Sequence, residues 1–115
     1  MINLLTALAI AIGPIHVVDG DTLDINNIRI RVLGIDTPET WPGKYKCEAE
    51  LIKGRIASQR LQELVLSGTV TYSGTKFDYY DRLLAHVYVN GVSVGDILIK
   101  EGLAVKWEGH RHHWC

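Results

Sequence analysis

The sequence has no internal repeat, no low-complexity tract and no linker rich in proline, glycine or serine, so nothing in it marks a boundary between domains. At 115 residues it encloses one hydrophobic core and hardly two. An excess of positive charge is also missing. With 12 Lys and Arg against 13 Asp and Glu the net charge is −1, so any basic surface for a phosphate backbone has to be local. Lys106, His110, Arg111, His112 and His113 form the densest candidate, which reads equally well as a solvated tail. His110, His112 and His113 match no standard zinc or copper spacing and are taken as an exposed basic cluster that meets phosphate when protonated. No apolar run is long enough to cross a bilayer, and the one from Leu4 to Ile12 falls well short, which excludes stable membrane insertion. Ala7-Leu8-Ala9 and Ala9-Ile10-Ala11 fit the small-x-small pattern of a signal-peptidase site, although no charged segment precedes them. Residues 1–11 are therefore expected to be a short signal peptide, the alternative being an apolar first strand, and residues 12–115 a single domain. The location that follows is secreted or periplasmic, with cytoplasmic as the alternative.

Only two cysteines are present, Cys47 and Cys115, too far apart for a metal motif of close spacing. A disulfide is the sharper reading and two unrelated thiols the plainer one. A bridge closing so long a loop contributes about 4 kcal/mol in the loop-entropy picture.

What is present reads as short strands with one longer helix. Ile15 to Ile25 is apolar and β-branched, interrupted by Asp19-Gly20-Asp21, and reads as one strand bent by a bulge. Asn26-Asn27 is a hairpin turn, and Ile28 to Ile35 returns with Ile28, Ile30 and Val32 on one face and Arg29 and Arg31 on the other. Pro38, Pro42 and Gly43 make Asp36 to Tyr45 a loop. Between Glu48 and Leu66 the positions Ala49, Ile52, Ile56, Leu61, Leu64 and Val65 predict a helix with that apolar face. Thr69 to Ser73 and Arg82 to Val89 read as strands, Asn90-Gly91 as a turn, Ser93 with Asp96 as a capping box opening a short helix, and Leu103 to Trp107 as a last strand. The fold class is mainly β with α (α+β), a five-stranded OB-type barrel capped by one longer and one short helix.

Two acidic turns carry the chemistry. Asp19-Gly20-Asp21-Thr22 and Asp36-Thr37-Pro38-Glu39 put four carboxylates into turn segments, where either alone could merely cap backbone groups. Together they offer a hard divalent cation several oxygens, with Asp21 and Asp36 as ligands. Phosphodiester hydrolysis needs an activated water and compensation for charge developing on phosphate, and Glu39, Arg31 and Arg82 supply these, the plainer reading of each arginine being a surface ion pair.

Val17 to Thr22, Arg31 to Glu39, Asp78 to Ala85 and Glu101 to Ala104 occur in an order that resembles the staphylococcal nuclease (thermonuclease) family across about residues 14 to 107. The resemblance implies an OB-type barrel and a calcium ion held by Asp21, Asp36 and the carbonyl of Thr37. It also implies a catalytic set of Arg31, Glu39 and Arg82, with Glu39 handling the attacking water, and Tyr80 near a bound nucleotide. The expected activity is non-specific cleavage of DNA and RNA, single-stranded or loosened, by a monomer that leaves 3′-phosphates. A shorter subgroup ending in Trp-Cys resembles this chain best and ties Trp114-Cys115 to Cys47. Asp81 departs from the family, which usually has glycine before its second arginine. The alternative is a non-catalytic barrel of the same kind that binds nucleic acid or protein, against which the presence of Asp21, Asp36, Glu39, Arg31 and Arg82 argues.

Overall fold

The computed structural model describes residues 8–115. Most of the stretch read as a signal peptide, residues 1–7, lies outside the described residues. Of its remainder, β1 (Ala9–Ile10) pairs with a later strand, Ala9 opposite Tyr72.

Where one bent strand was expected from Ile15 to Ile25, the chain makes a tight hairpin of β2 (His16–Asp19) and β3 (Thr22–Ile25), with Asp19 opposite Thr22. The register shift between Val17 and Asp19 is the remnant of the predicted bulge. Gly20 permits α1 and the 37–40 loop to pack closely on this turn, because a Cβ there would sit 2.8 Å from the Cβ of Ala57 and 3.0 Å from the Thr37 hydroxyl. Asn26 and Asn27 both adopt positive φ, 52° and 63°, the geometry of a type I′ turn, and lead into β4 (Ile28–Val32). The predicted strand to Ile35 is broken at Gly34, whose φ of 82° swings the chain out of the main sheet. The next piece, β5 (Ile35–Asp36), pairs with β9 (Val105–Lys106) in a separate two-stranded sheet.

Helix α1 (Glu48–Leu66) has the predicted bounds; of its predicted apolar face Leu61, Leu64 and Val65 are buried, whereas Ala49, Ile52 and Ile56 are exposed. Ile52 and Ile56 are each 50% exposed, whereas Glu50, Gly54, Ala57, Leu61, Leu64 and Val65 are buried. The first turns pack against the 37–40 loop and not against the apolar core. That loop brings backbone groups, so an acceptor (Glu50) and a residue without a side chain (Gly54) fit there: a Cβ at Gly54 would come within 2.7 Å of the Pro38 carbonyl oxygen.

Strand β6 (Val70–Phe77) is longer than expected and pairs antiparallel with β7 (Leu83–Val89). Asn90-Gly91, both at positive φ, turns into β8 (Val92–Ser93) and α2 (Val94–Lys100), whose first turn is capped by the Ser93 hydroxyl accepting from the Asp96 amide. The main sheet runs β1-β6-β7-β4-β3-β2, with β8 beside β7 and one parallel pair, β4 with β7. The result is an α+β domain, a mixed sheet curled into a half-barrel with two helices, in keeping with the OB-type expectation. Five of its strands, β2, β3, β4, β6 and β7, have four or more residues. Leu23, Ile25, Ile30, Val32, Ala85 and Val87 line its inside with Leu61 and Leu98 from the helices, all at most 2% exposed. Among the described residues, no helix is long and apolar enough to cross a membrane.

Candidate active site

Pairing of β3 with β4 sets Thr22 opposite Arg31, and the Val32 amide donates to the Asp21 carbonyl at 2.8 Å. Arg31 therefore stands beside the first acidic turn, with Nη2 3.4 Å from Asp21 Oδ2. The same carboxylate reaches the second turn: Asp21 Oδ2 accepts from the Thr37 amide at 3.3 Å, and Asp21 Oδ1 from the Thr22 hydroxyl at 3.0 Å. Asp21, Asp36 and Thr37 are all buried, Asp36 completely. The break at Gly34 is what turns Asp36 into this position, because β5 leaves the main sheet there.

Glu39 follows on the loop, one quarter exposed. Burial pushes its carboxyl above the ordinary carboxylate range. Arg111 opposes that rise, while Asp19, Asp21 and Asp36 add to it. Asp19 is also pushed up, first by burial and then by Asp21, while the hydrogen bond from the Thr40 hydroxyl pulls it back. The loop is fixed by a residue that the sequence reading left aside. Glu50 Oε2 accepts from the Glu39 amide at 3.1 Å and Glu50 Oε1 from the Lys46 amide at 2.7 Å, so one buried carboxylate of α1 serves two loop amides.

Arg111, read from sequence only as part of a basic tail, lies inside the acidic cluster. Cys47 and Cys115 form a disulfide that brings the tail back across the start of α1. Arg111 Nη1 donates to Asp36 Oδ1 at 2.5 Å and lies 3.0 Å from Glu39 Oε1; Nη2 donates to the Thr37 carbonyl at 3.3 Å and lies 3.7 Å from Glu50 Oε2. The backbone amide of His112 takes the other oxygen of Asp36 at 2.8 Å. The signal for this placement was the cysteine pair itself, since Arg111 lies only four residues before Cys115.

Arg82 reaches the site's side of the sheet by register. Arg31 is opposite Leu84 in the parallel β4–β7 pair, and Arg82, two residues before Leu84, points to the same face by strand alternation. Its ion pair is with Asp78, whose Oδ2 accepts from Nε at 2.8 Å, which leaves the two terminal nitrogens of the guanidinium for another anion. Tyr80 is 75% exposed, with the Arg82 guanidinium 5.5 Å from its ring centre. Arg31 is similarly placed 5.9 Å from the Trp107 ring. Asp81 has φ 63°, a left-handed conformation that accounts for glycine at this position in the family pattern.

Among the described residues, no group of three or more histidine, cysteine or acidic side chains is gathered closely enough to hold a metal ion, and this covers His110, His112 and His113. The donors around Arg111 are nevertheless all oxygens, from Asp36, Glu39 and the Thr37 carbonyl, the donor type that suits a hard divalent cation. The positive centre they share is the guanidinium.

The family described as staphylococcal nuclease homologue matches residues 29–113, three quarters of the chain, a span that holds Arg31, Asp36, Glu39, Arg82 and Arg111 and leaves out the first acidic turn and Cys115. The chain belongs to the staphylococcal nuclease family. It is 46% identical over 94 residues to the SPbeta prophage-derived endonuclease YokF of Bacillus subtilis, an alignment covering 76% of this chain and 31% of that protein. To endonuclease YncB of the same organism it is 43% identical over 94 residues, covering 76% and 43%. An uncharacterised endonuclease of Escherichia coli is 30% identical over 99 residues, covering 82% and 59%. The chain thus spans less than two thirds of the length of these relatives.

Proposed function

We propose that this staphylococcal nuclease domain is a calcium-dependent nuclease that hydrolyses phosphodiester bonds in DNA and RNA with little sequence preference. The observation that carries the reading is that Asp21 contacts both Arg31 and the Thr37 amide, while Arg111 gathers Asp36, Glu39 and the Thr37 carbonyl on the same loop, in a family whose similar members are named endonucleases. Asp21, Asp36 and the Thr37 carbonyl would hold the calcium ion, which when bound supplies positive charge that neutralises and orients the phosphate.

The chain's own groups do the rest. Glu39, its proton affinity raised by burial, accepts the proton of the attacking water. Arg31 grips a non-bridging phosphate oxygen, and Asp21 beside it keeps the guanidinium from swinging away. Arg82, fixed through Nε, offers its terminal nitrogens to the charge that builds up as the leaving oxygen departs. Tyr80, standing exposed over Arg82, gives a base a ring to stack on, a contact worth about 1–3 kcal/mol and indifferent to sequence. Single-stranded or loosened substrates suit such stacking. The disulfide accords with an oxidising compartment, so secretion or export to the periplasm is part of the proposal.

The test is Glu39→Gln assayed on denatured DNA and on RNA. The fold should persist by circular dichroism while turnover falls by about 100-fold or more. A near wild-type rate would remove Glu39 from the mechanism, and a wild-type protein that binds DNA without cutting it would make the domain a binding module.

A further inference from the structure

We propose that Arg111 is a built-in competitor for the divalent cation, and that the Cys47–Cys115 disulfide sets how strongly it competes. The inference rests on the calcium reading above and concerns only this chain's own residues.

The guanidinium occupies the middle of the oxygen cluster. It contacts a carboxylate oxygen of Asp36, a carboxylate oxygen of Glu39 and the carbonyl of Thr37, and so engages two of the three groups assigned to the cation. The second oxygen of Asp36 accepts the His112 amide, so both oxygens of the buried carboxylate belong to the tail. A divalent ion and a guanidinium cannot share these oxygens at contact distance, because two positive centres a few ångströms apart in a buried setting repel strongly. Binding of the ion therefore requires Arg111 to leave.

Covalent and packing restraints oppose that departure. The tail is held at its start by the Trp107 amide donating to the Gly34 carbonyl at 2.9 Å, and at its end by the disulfide to the residue that precedes α1. Between these points Trp114 lies against α1 with the Lys53 ammonium 5.0 Å from its ring centre and the His112 ring edge-on at 4.6 Å. A guanidinium on so short a closed loop has an effective concentration of order millimolar at the carboxylates. Opening the loop at Cys115 removes its covalent anchor at that end, leaving only the non-covalent contacts of His112 and Trp114 there, and lowers that concentration.

The experiment is calcium titration by calorimetry, with Tb3+ luminescence as a second probe, on the oxidised wild type, Arg111→Gln and Cys115→Ser, each also followed by thermal unfolding with and without calcium. Arg111→Gln should bind calcium about tenfold tighter or better than wild type, and its unfolding temperature should be lower without calcium and rise more on adding it, because Asp36 is then buried without a cation. Cys115→Ser should shift the affinity in the same direction by a smaller factor. Equal or weaker calcium affinity in Arg111→Gln, with the wild type binding normally, overturns the competition and leaves the calcium site standing. Absence of binding in all three proteins overturns the calcium reading itself. Unchanged affinity in Cys115→Ser beside a tightened Arg111→Gln overturns the part given to the disulfide.

Discussion

Replacing Asp78 by Asn separates two jobs that one carboxylate performs. Asp78 Oδ1 accepts the amides of Tyr80 and Arg82, each at 2.9 Å, which shapes the turn, while Oδ2 accepts Arg82 Nε at 2.8 Å, which aims the guanidinium. Asn keeps an oxygen for the two amides and puts an NH2 group where Arg82 Nε donates, so the turn survives and the arginine is released. The lost ion pair is partly exposed, with side chains 28% and 17% accessible, so the stability cost is about 1 kcal/mol rather than the larger figure of a buried pair. Ala at the same position also leaves the two amides to water and costs about 1–2 kcal/mol more. The effect on rate should be larger than the effect on stability. Loss of the fixed direction of Arg82 is expected to lower kcat/KM about tenfold, or about 1.4 kcal/mol of transition-state stabilisation, mostly in kcat. The assay pairs urea unfolding with cleavage of denatured DNA under calcium. If Asp78→Asn retains wild-type kcat/KM while Arg82→Ala is impaired, Asp78 does not position Arg82.

Three further outcomes follow from the same geometry. The Asp78 carboxyl is raised by burial, but hydrogen bonds from the Arg82 amide and guanidinium, its charge and the Tyr80 amide outweigh this and hold it below its ordinary value of 3.8. Its stabilising contribution is therefore complete above that value and lost as pH falls below it through the folded-state pKa. Urea midpoints of wild type and Asp78→Asn should thus converge on acidification below 3.8, and a constant gap would contradict the assignment. Asp81→Gly relieves a left-handed backbone at φ 63°, a gain of about 1–2 kcal/mol offset by about 0.5–1 kcal/mol of extra chain entropy, so unfolding should show a slight stabilisation and not a loss. Gly20→Ala drives a methyl into Ala57 and Thr37 and should cost about 1–3 kcal/mol, with wild-type stability indicating that α1 does not lie so close to the turn.

Much of this arrangement could be read before any coordinates. Periodicity located α1 from Glu48 to Leu66, and the alternation of Leu83, Ala85 and Val87 against their neighbours gave the inward face of β7. Local pattern placed Leu61, Leu64 and Val65 of α1 inside but misplaced the first half of its buried face, because that half serves the backbone of a loop, a need that puts Glu50 inside and leaves Ile52 and Ile56 in solvent. Asp19-Gly20-Asp21 looked like a bulge since its neighbours on both sides are equally apolar; the chain instead reverses there, and only in the fold does Ala57 of α1 pack against Gly20. The two acidic turns stood out as four carboxylates, Asp19, Asp21, Asp36 and Glu39, in turn-forming segments. Arg111 was not, since its position depends on a cross-link between distant cysteines and on carboxylates that come together only after folding.

Calcium-dependent cleavage is read from the release of acid-soluble nucleotides from denatured DNA by the purified oxidised protein, with saturating calcium or with a calcium chelator. Release should be rapid with calcium and near background with the chelator. Equal release under both conditions, or none with calcium, would contradict it.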